Sequence, residues 1–236
     1  MTRTPERADA APAMRIASDF DRLSAFDDGR WDHNRHYHPL LLRSLPARRE
    51  SALEIGCGTG EFARLLAREF ARVTAIDLSP EMVRRARELS PGVAHIEFTQ
   101  ADVASCDLPP ESFDCIASIA TLHHLPLADT LMKLSAALRP GGVLLVLDLY
   151  QPRSAADFAW SAAAWPCNLV LRAWHHGRLR DPPDVRRAWS EHARHDVYPA
   201  LADVRALGER LVPGAVVRRH LFWRYSLVWQ KPAVRA

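Results

Sequence analysis

The chain has 236 residues, of which 48% are hydrophobic and 25% are charged, and its formal net charge is +3 at pH 7. This composition is ordinary for a globular protein, and the length suffices for one domain with a sizeable core. Acidic residues are interleaved with the basic ones, so the sequence offers no clustered basic face for nucleic acid. The four cysteines form no CxxC pair and the N-terminus has no apolar signal core, so we expect a reduced, cytoplasmic protein.

The first fifty residues predict two helices after an irregular start. Residues 1–13 consist mainly of alanine, proline and charged residues, and we expect a disordered tail there. Residues 14–26 place apolar side chains at roughly helical spacing, which predicts a helix. A second, short helix is expected from Pro39, within a segment that is dense in histidine and aromatic residues.

From Ser51 the pattern changes to a regular alternation of strands and helices. The predicted strands are residues 51–55, 72–77, 95–102, 113–119 and 143–149, and the predicted helices are residues 61–70, 80–89 and 127–138, with a turn at residues 139–142. Ser79 and Pro80 are residue types favoured at the N-cap and the first position of a helix. This alternation predicts a parallel, doubly wound α/β sheet with its ligand at the carboxyl ends of the strands.

After Tyr150 the alternation stops. Residues 151–200 predict helices and loops and contain four of the seven tryptophans. Residues 201–211 place apolar side chains on one stripe, which predicts an amphipathic helix. The apolar runs at residues 215–222 and 224–231 predict two final strands joined by a tight connection.

A glycine-rich turn follows the first predicted strand, in the stretch LEIGCGTGEF. Gly56, Gly58 and Gly60 allow the backbone to approach a ligand closely at a helix N-terminus. The dinucleotide fingerprint GxGxxG requires a third glycine where this chain has Glu61. Glu54 and Glu61 disfavour a pyrophosphate but tolerate a cationic ligand without phosphate, and S-adenosylmethionine fits that description.

Two further acids end predicted strands and suit the same ligand. Asp77 ends the second strand, where a carboxylate can accept hydrogen bonds from both ribose hydroxyls. Asp102 and Val103 follow the third strand, where they can hold the amino edge and the ring face of adenine.

Five stretches, in this order, resemble the successive motifs of class I S-adenosylmethionine-dependent methyltransferases: LEIGCGTG, VTAIDLSPEMV, FTQADV, FDCIASIATLHHL and RPGGVLLVLDL. The resemblance covers residues 51–149 and is closest to the group that methylates small molecules and quinone precursors. It implies a seven-stranded, Rossmann-like sheet. We expect an N-terminal helical lid at residues 14–50, a cofactor-binding core at 51–150, a helical substrate-lid insertion at 151–200, and a final helix and closing hairpin at 201–236. Residues 14–45 and 151–200 match no motif of the family.

The resemblance also implies roles for individual residues. The implied cofactor contacts are Glu54 and Gly56 at the methionine end, Gly58 and Gly60 in the turn, Asp77 at the ribose, Leu78 and Met82 against adenine, Asp102 and Val103 at its edge, and Ser118 and Ile119 at the sulfonium. In related enzymes the N-terminal segment lies over the cofactor. We therefore expect Trp31, Asn34 or Tyr37 to contact the cofactor or the substrate.

Methyl transfer from a sulfonium requires alignment and exclusion of water, and it requires a base only when the acceptor must lose a proton. His123 and His124 follow the fourth strand, and we expect His124 in preference to His123 as that base, with a structural role as the alternative. The histidines of residues 33–38 match no standard metal spacing. His192 and His195, with Asp196 beside them, share a helix face and suggest a metal, but no third partner is identifiable, so we expect no metal.

The predicted reaction is transfer of a methyl group to an oxygen, nitrogen or carbon atom of a small aromatic or apolar metabolite, with S-adenosylhomocysteine as product. The alternatives are a non-methylating cyclase, a non-enzymatic binding module and a nucleotide-dependent oxidoreductase. The tryptophan-rich insertion is expected to cover the acceptor, to pack on the sheet, or to contact a membrane. We expect a monomer or homodimer without stable membrane association, and no nucleic-acid substrate, because SIATLHHL replaces an Asn-Pro-Pro-Tyr-like motif.

Overall fold

The computed structural model describes residues 10–26, 31–177 and 180–233. The strands in these ranges are β1 Ser51–Ile55, β2 Arg72–Asp77, β3 Ile96–Gln100, β4 Phe113–Ile119, β5 Leu138–Leu149, β6 Val216–Arg219 and β7 Arg224–Gln230. They form one sheet in the order β3-β2-β1-β4-β5-β7-β6. β1 to β5 run parallel, whereas β7 is antiparallel to both β5 and β6. The strand order reverses between β1 and β4, where sheets of this kind bind their ligands.

Helices cover both faces of this sheet. They are α1 Ala10–Ser24, α2 His38–Leu42, α3 Glu61–Leu66, α4 Pro80–Glu88, α5 Leu127–Ala137, α6 Ala155–His176, α7 Pro183–Ala193 and α8 Leu201–Leu211. One hydrophobic cluster joins α2, α3 and α4 to the sheet, and a second cluster joins α5 and α8 to its other face. Successive strand residues point to opposite faces, so Ala52 of β1 belongs to the first cluster and Leu53 to the second. The predicted doubly wound fold is confirmed.

Helix α1 begins at Ala10, so residues 10–13 are helical, whereas we expected a disordered tail there. Alanine has the highest helix propensity, and Pro12 lies in the first turn, where a missing N–H costs nothing. Residues 1–9 of the expected tail lie outside the described residues. The helix packs against α4 and α7, and Asp21 accepts hydrogen bonds from Ser79 Oγ and the Glu81 N–H. This segment therefore docks on the start of α4.

The predicted turn at residues 139–142 is a bulge inside β5. Phe113 pairs with Leu138, and pairing resumes only between Cys115 and Val143. Gly141 adopts φ 80°, and its N–H donates to the carbonyl of Lys231 at 2.9 Å. This bond keeps the segment in the sheet, so the turn signal marks an irregular strand and not a strand boundary.

The segment between β5 and α8 is helical, as predicted. A capping box of Ser154 and Asp157 starts α6, and Gly177 ends it with φ 65°. Most of α6 is exposed, including Trp165 and Trp174. No helix in the described part of the chain combines the length and the apolar character that a membrane crossing requires.

Candidate functional site

A cavity of about 1000 Å³ lies at the carboxyl ends of the parallel strands. Its floor consists of the loops that follow β1, β2, β3 and β4. Its walls come from α1, from residues 31–38 and from α7 with the residues that flank it. The volume is at the upper end of the range for small-molecule sites, large enough for a cofactor together with a second ligand.

The glycine turn shapes one end of this cavity. Gly56, Gly58 and Gly60 have φ values of 67°, 52° and 77°, a region that other residues rarely adopt. A Cβ atom on Gly56 would overlap the side chain of Thr121, and one on Gly60 would lie 2.7 Å from Phe98 Cε1. Gly58 faces open space, and it lines the cavity with Gly56. Gly60 does not line the cavity, because it faces the core.

Asp77 is held by the same turn. Its Oδ2 accepts the Gly58 N–H at 2.8 Å and its Oδ1 accepts the Ser79 N–H at 2.9 Å. Burial raises the pKa of this carboxyl above its ordinary value. Each carboxylate oxygen retains acceptor capacity, and the residue lines the cavity. The arrangement suits a ligand that presents two hydroxyl groups.

Glu54 lies at the carboxyl end of β1, is only 2% exposed and also lines the cavity. Its Oε2 is buried and has no hydrogen-bond partner. Burial, and next the nearby Asp77, raise the pKa of Glu54 well above its usual value. A cationic donor would satisfy this oxygen and favour the ionised carboxylate. The residues therefore fit the ammonium group of S-adenosylmethionine.

The predicted adenine contacts also come together at this end. Leu78, Met82, Asp102 and Val103 all line the cavity. The carboxylate of Asp102 accepts the Ala104 N–H at 2.8 Å, which orders the loop after β3. This part of the cavity thus combines the apolar side chains of Leu78, Met82 and Val103 with the carboxylate of Asp102.

Besides Gly60, two of the predicted contacts lie outside the cavity lining. Ile119 lines the cavity but Ser118 does not, since neighbouring residues of β4 point in opposite directions. Tyr37 is buried, and its hydroxyl donates to the Leu221 carbonyl at 3.0 Å, so it joins residues 31–38 to the segment before β7. Burial raises the pKa of Tyr37 to about 12. Ser118 and Tyr37 therefore lie outside the cavity lining, whereas Asn34 is part of it.

His123 and His124 follow β4, and both line the cavity. The Nδ1 of His123 lies 2.6 Å from Asp148 Oδ1, and its backbone N–H donates to Asp148 Oδ2 at 2.9 Å. Asp148 is fully buried at the end of β5. Asp148 was not among the predicted site residues, although it is the single acid near the end of the apolar run VLLVLDL. The pair is arranged as a histidine oriented by a carboxylate.

His124 has different surroundings. Burial, and next the neighbouring His123, lower the pKa of His124 to about 4, so its ring is neutral near pH 7. Its Nδ1 lies 3.6 Å from Asp196 Oδ1, and its Nε2 is buried without a partner. Nε2 of His192 in α7 lies 3.6 Å from Asp196 Oδ2, and Tyr198 donates to that carboxylate at 2.8 Å. The insertion thus closes over the two histidines.

The histidine groups considered from sequence do not assemble into metal sites. Nε2 of His33 lies 2.8 Å from the Asn168 Oδ1, and His38 packs against Phe62. Among the described residues, the group with metal-binding spacing is His123, His124 and Asp196, whose ligand atoms lie within 4.8 Å of one another. Two of these residues are adjacent in sequence and the third comes from the insertion, a combination that spacing along the chain does not reveal.

Comparisons with known proteins agree with this geometry. A family model described as a methyltransferase domain matches residues 53–146. An uncharacterized methyltransferase of Mycobacterium bovis is 32% identical over 210 residues, which cover 87% of this chain and 99% of the relative. A ubiquinone biosynthesis O-methyltransferase of Xylella fastidiosa is 31% identical over 189 residues, 75% of this chain and 77% of the relative.

A solved structure shares the fold at lower identity. The N-methyltransferase NodS of Bradyrhizobium japonicum, in complex with S-adenosylhomocysteine, superposes with a TM-score of 0.61 at 22% identity, over 92% of this chain and 98% of NodS. The sequence relatives, the shared fold and the orphaned Glu54 carboxylate at the glycine turn agree on the cofactor, which is S-adenosylmethionine. The chain therefore belongs to the class I S-adenosylmethionine-dependent methyltransferases.

Proposed function

We propose that this methyltransferase acts on an oxygen, nitrogen or carbon atom of a small aromatic or apolar metabolite. The observation that carries the proposal is the lining of the cavity beyond the cofactor end. That lining is largely apolar and aromatic, and it includes Ile16, Phe20, Leu23, Phe26, Leu125, Pro126, Val185 and Trp189. The name of the Xylella relative, a ubiquinone biosynthesis O-methyltransferase, supports a small-molecule acceptor.

Bound S-adenosylmethionine supplies an activated methyl group, so the protein has to align the acceptor and exclude water. We assign Glu54 to the ammonium group, Asp77 to the ribose hydroxyls, and Leu78 and Met82 to the adenine ring. α1 and α7 pack against each other above the sheet. They close the cavity over the position where the acceptor meets the methyl group.

We assign the role of base to His123 and not to His124, which reverses the preference drawn from sequence. Asp148 fixes the orientation of His123 through Nδ1, which leaves Nε2 to take a proton from an acceptor hydroxyl or amine. The neutral His124, with its pKa of about 4, is a poor proton acceptor at neutral pH. We assign His124 to the contact with the insertion through Asp196.

The tryptophans of the insertion differ in whether they line the cavity. Trp189 of α7 lines the cavity, so we assign it to the acceptor. Trp165 and Trp174 of α6 are exposed and lie outside the cavity lining. Only part of the insertion is therefore proposed to cover the substrate.

Transfer of an isotopically labelled methyl group tests this proposal. The protein is incubated with methyl-labelled S-adenosylmethionine and a panel of phenols, aromatic amines and small apolar acids. We expect acceptor-dependent label in product, with an equal amount of S-adenosylhomocysteine. A cyclase would convert its substrate without incorporating label, and a binding module would turn over none of the panel. Either result would contradict the proposed reaction.

A further inference from the structure

Arg224 is a buried cation that lines the cavity. It is the first residue of β7 and only 9% exposed. Its Nε donates to Asn34 Oδ1 at 2.9 Å and its Nη1 donates to the Phe222 carbonyl at 2.9 Å. These two neutral acceptors position the guanidinium without neutralising its charge.

The other two arginines that line the cavity have carboxylate partners. Arg35 forms an ion pair with Glu61, and Arg172 forms one with Asp181 at 2.6 Å. No ion pair within 4.0 Å joins Arg224 to a carboxylate in the described part of the chain. Nearby Asp148 already accepts hydrogen bonds from the His123 N–H and the Leu149 N–H. Asp148 and Asp32 interact with Arg224 electrostatically, although neither forms an ion pair with it. A buried charge without a paired counter-charge is costly, and an anionic ligand would supply the partner.

The sheet register places Arg224 on the acceptor side. Arg224 pairs with Leu149, and the next residue of β7, Tyr225, pairs with Asp148, which orients His123. β7 is three strands away from β1, a separation of about 14 Å at roughly 4.8 Å per strand. The cofactor's amino-acid end belongs beside β1, where Glu54 and the glycine turn lie. We therefore assign the anion that would pair with Arg224 to the methyl acceptor and not to the cofactor.

We propose that Arg224 binds a carboxylate, or a similar planar anion, on the methyl acceptor, with Asn34 holding the guanidinium in place. This inference rests on the proposed function, since it specifies the acceptor of that reaction. The substrate class is a small aromatic or apolar acid, whose anionic group meets Arg224 and whose apolar body contacts α1 and α7. A guanidinium recognises a carboxylate through two parallel hydrogen bonds, which a lysine cannot form.

The test uses calorimetry on the full chain saturated with S-adenosylhomocysteine. Benzoate and benzamide serve as probes, because they share an aromatic body and differ in charge. We expect the wild type to bind benzoate at least tenfold more tightly than benzamide. Arg224→Gln should abolish that preference, and Arg224→Lys should retain part of it. Arg218→Gln, which removes an exposed charge from the same hairpin, should leave the preference unchanged.

Separate titrations with S-adenosylhomocysteine and 5′-methylthioadenosine distinguish the acceptor from the cofactor as the source of the anion. We expect Arg224→Gln to change neither affinity by more than about twofold. A selective loss of S-adenosylhomocysteine binding would assign Arg224 to the cofactor's carboxylate and overturn the inference. Equal binding of benzoate and benzamide to the wild type would also overturn it, even if Arg224→Gln fails to fold. If the wild type does not bind S-adenosylhomocysteine, the cofactor assignment fails instead.

Discussion

The two ends of the cavity are built in different ways. The cofactor end consists of three loops that follow β1, β2 and β3, and backbone N–H groups set its geometry through the Asp77 carboxylate. The proposed acceptor end consists of side chains from α1, residues 31–38, α6, α7 and β7. The first end is formed within one stretch of about fifty residues, whereas the second exists only after distant segments dock. A change at one end should therefore leave the other intact.

The largest expected effect lies at the acceptor end. His123→Ala should lower turnover by about 10²–10⁴-fold if the acceptor loses a proton, because that is the usual contribution of a general base. Asp148→Asn should lower turnover in the same direction, since it weakens the bond that orients His123. Affinity for S-adenosylhomocysteine should not change in either variant.

The exposed His95 provides a matched control, since His95→Ala removes an imidazole far from the cavity. It should leave turnover at the wild-type value. The measurement is methyl transfer to an acceptor identified by the label screen, together with calorimetric binding of S-adenosylhomocysteine. Normal turnover in His123→Ala would show that His123 is not the general base.

The next largest effect lies at the cofactor end. Glu54→Gln should weaken S-adenosylhomocysteine binding by about 1.5–3 kcal/mol, the usual value of a hydrogen bond between charged groups. The same variant should change the pH dependence of stability. The folded-state pKa of Glu54 is raised, so the native state binds its proton more tightly than the unfolded chain does.

This difference in proton binding determines how the contribution of Glu54 to stability depends on pH. The carboxyl's contribution to stability is fully present below pH 4.5 and decreases as the pH rises toward the raised pKa. Without ligand, Glu54→Gln should therefore be more stable than the wild type at pH 8, and the difference should shrink toward pH 4.5. Thermal unfolding of both proteins across this pH range measures the effect. A constant difference would contradict the burial of an unpartnered carboxyl.

The smallest effect concerns the docking of α1. Asp21→Ala removes the acceptor that joins Ser79 Oγ and the Glu81 N–H to this helix. A lost interaction at a helix N-terminus typically costs about 0.5–2 kcal/mol. Arg15→Ala, an exposed change on α1, is the matched control. Hydrogen exchange of α1 should accelerate in Asp21→Ala only, and equal exchange in both variants would contradict the proposed docking.

The sequence was sufficient to predict the fold around the glycine turn, for a physical reason. Strand periodicity and the glycine turn are local signals, so Glu54, Gly58 and Asp77 were expected at one site, and all three line the cavity. The sequence did not show which of two neighbouring residues faces the cavity, because that depends on the direction of the side chain. Ser118 and Ile119 are neighbours, and spacing alone does not show which of them faces the ligand.

The acceptor end was largely beyond prediction. Arg224 has no distinguishing local pattern, and only the pairing of β7 with β5 brings it to the cavity. Asp196 was visible beside His192, but its contact with His124 depends on how the insertion docks. These residues meet through tertiary contacts between segments separated by more than sixty positions, and no sequence period encodes such contacts.

Calorimetric titration of the wild type and Asp77→Ala with S-adenosylhomocysteine and NAD tests the account most directly. We predict that the wild type binds S-adenosylhomocysteine and not NAD. Asp77→Ala should lose about 1.5–3 kcal/mol of that binding free energy because a charged acceptor for the ribose hydroxyls is removed. Unchanged affinity in a folded Asp77→Ala variant, or preferential binding of NAD, would contradict the placement of the cofactor at the glycine turn.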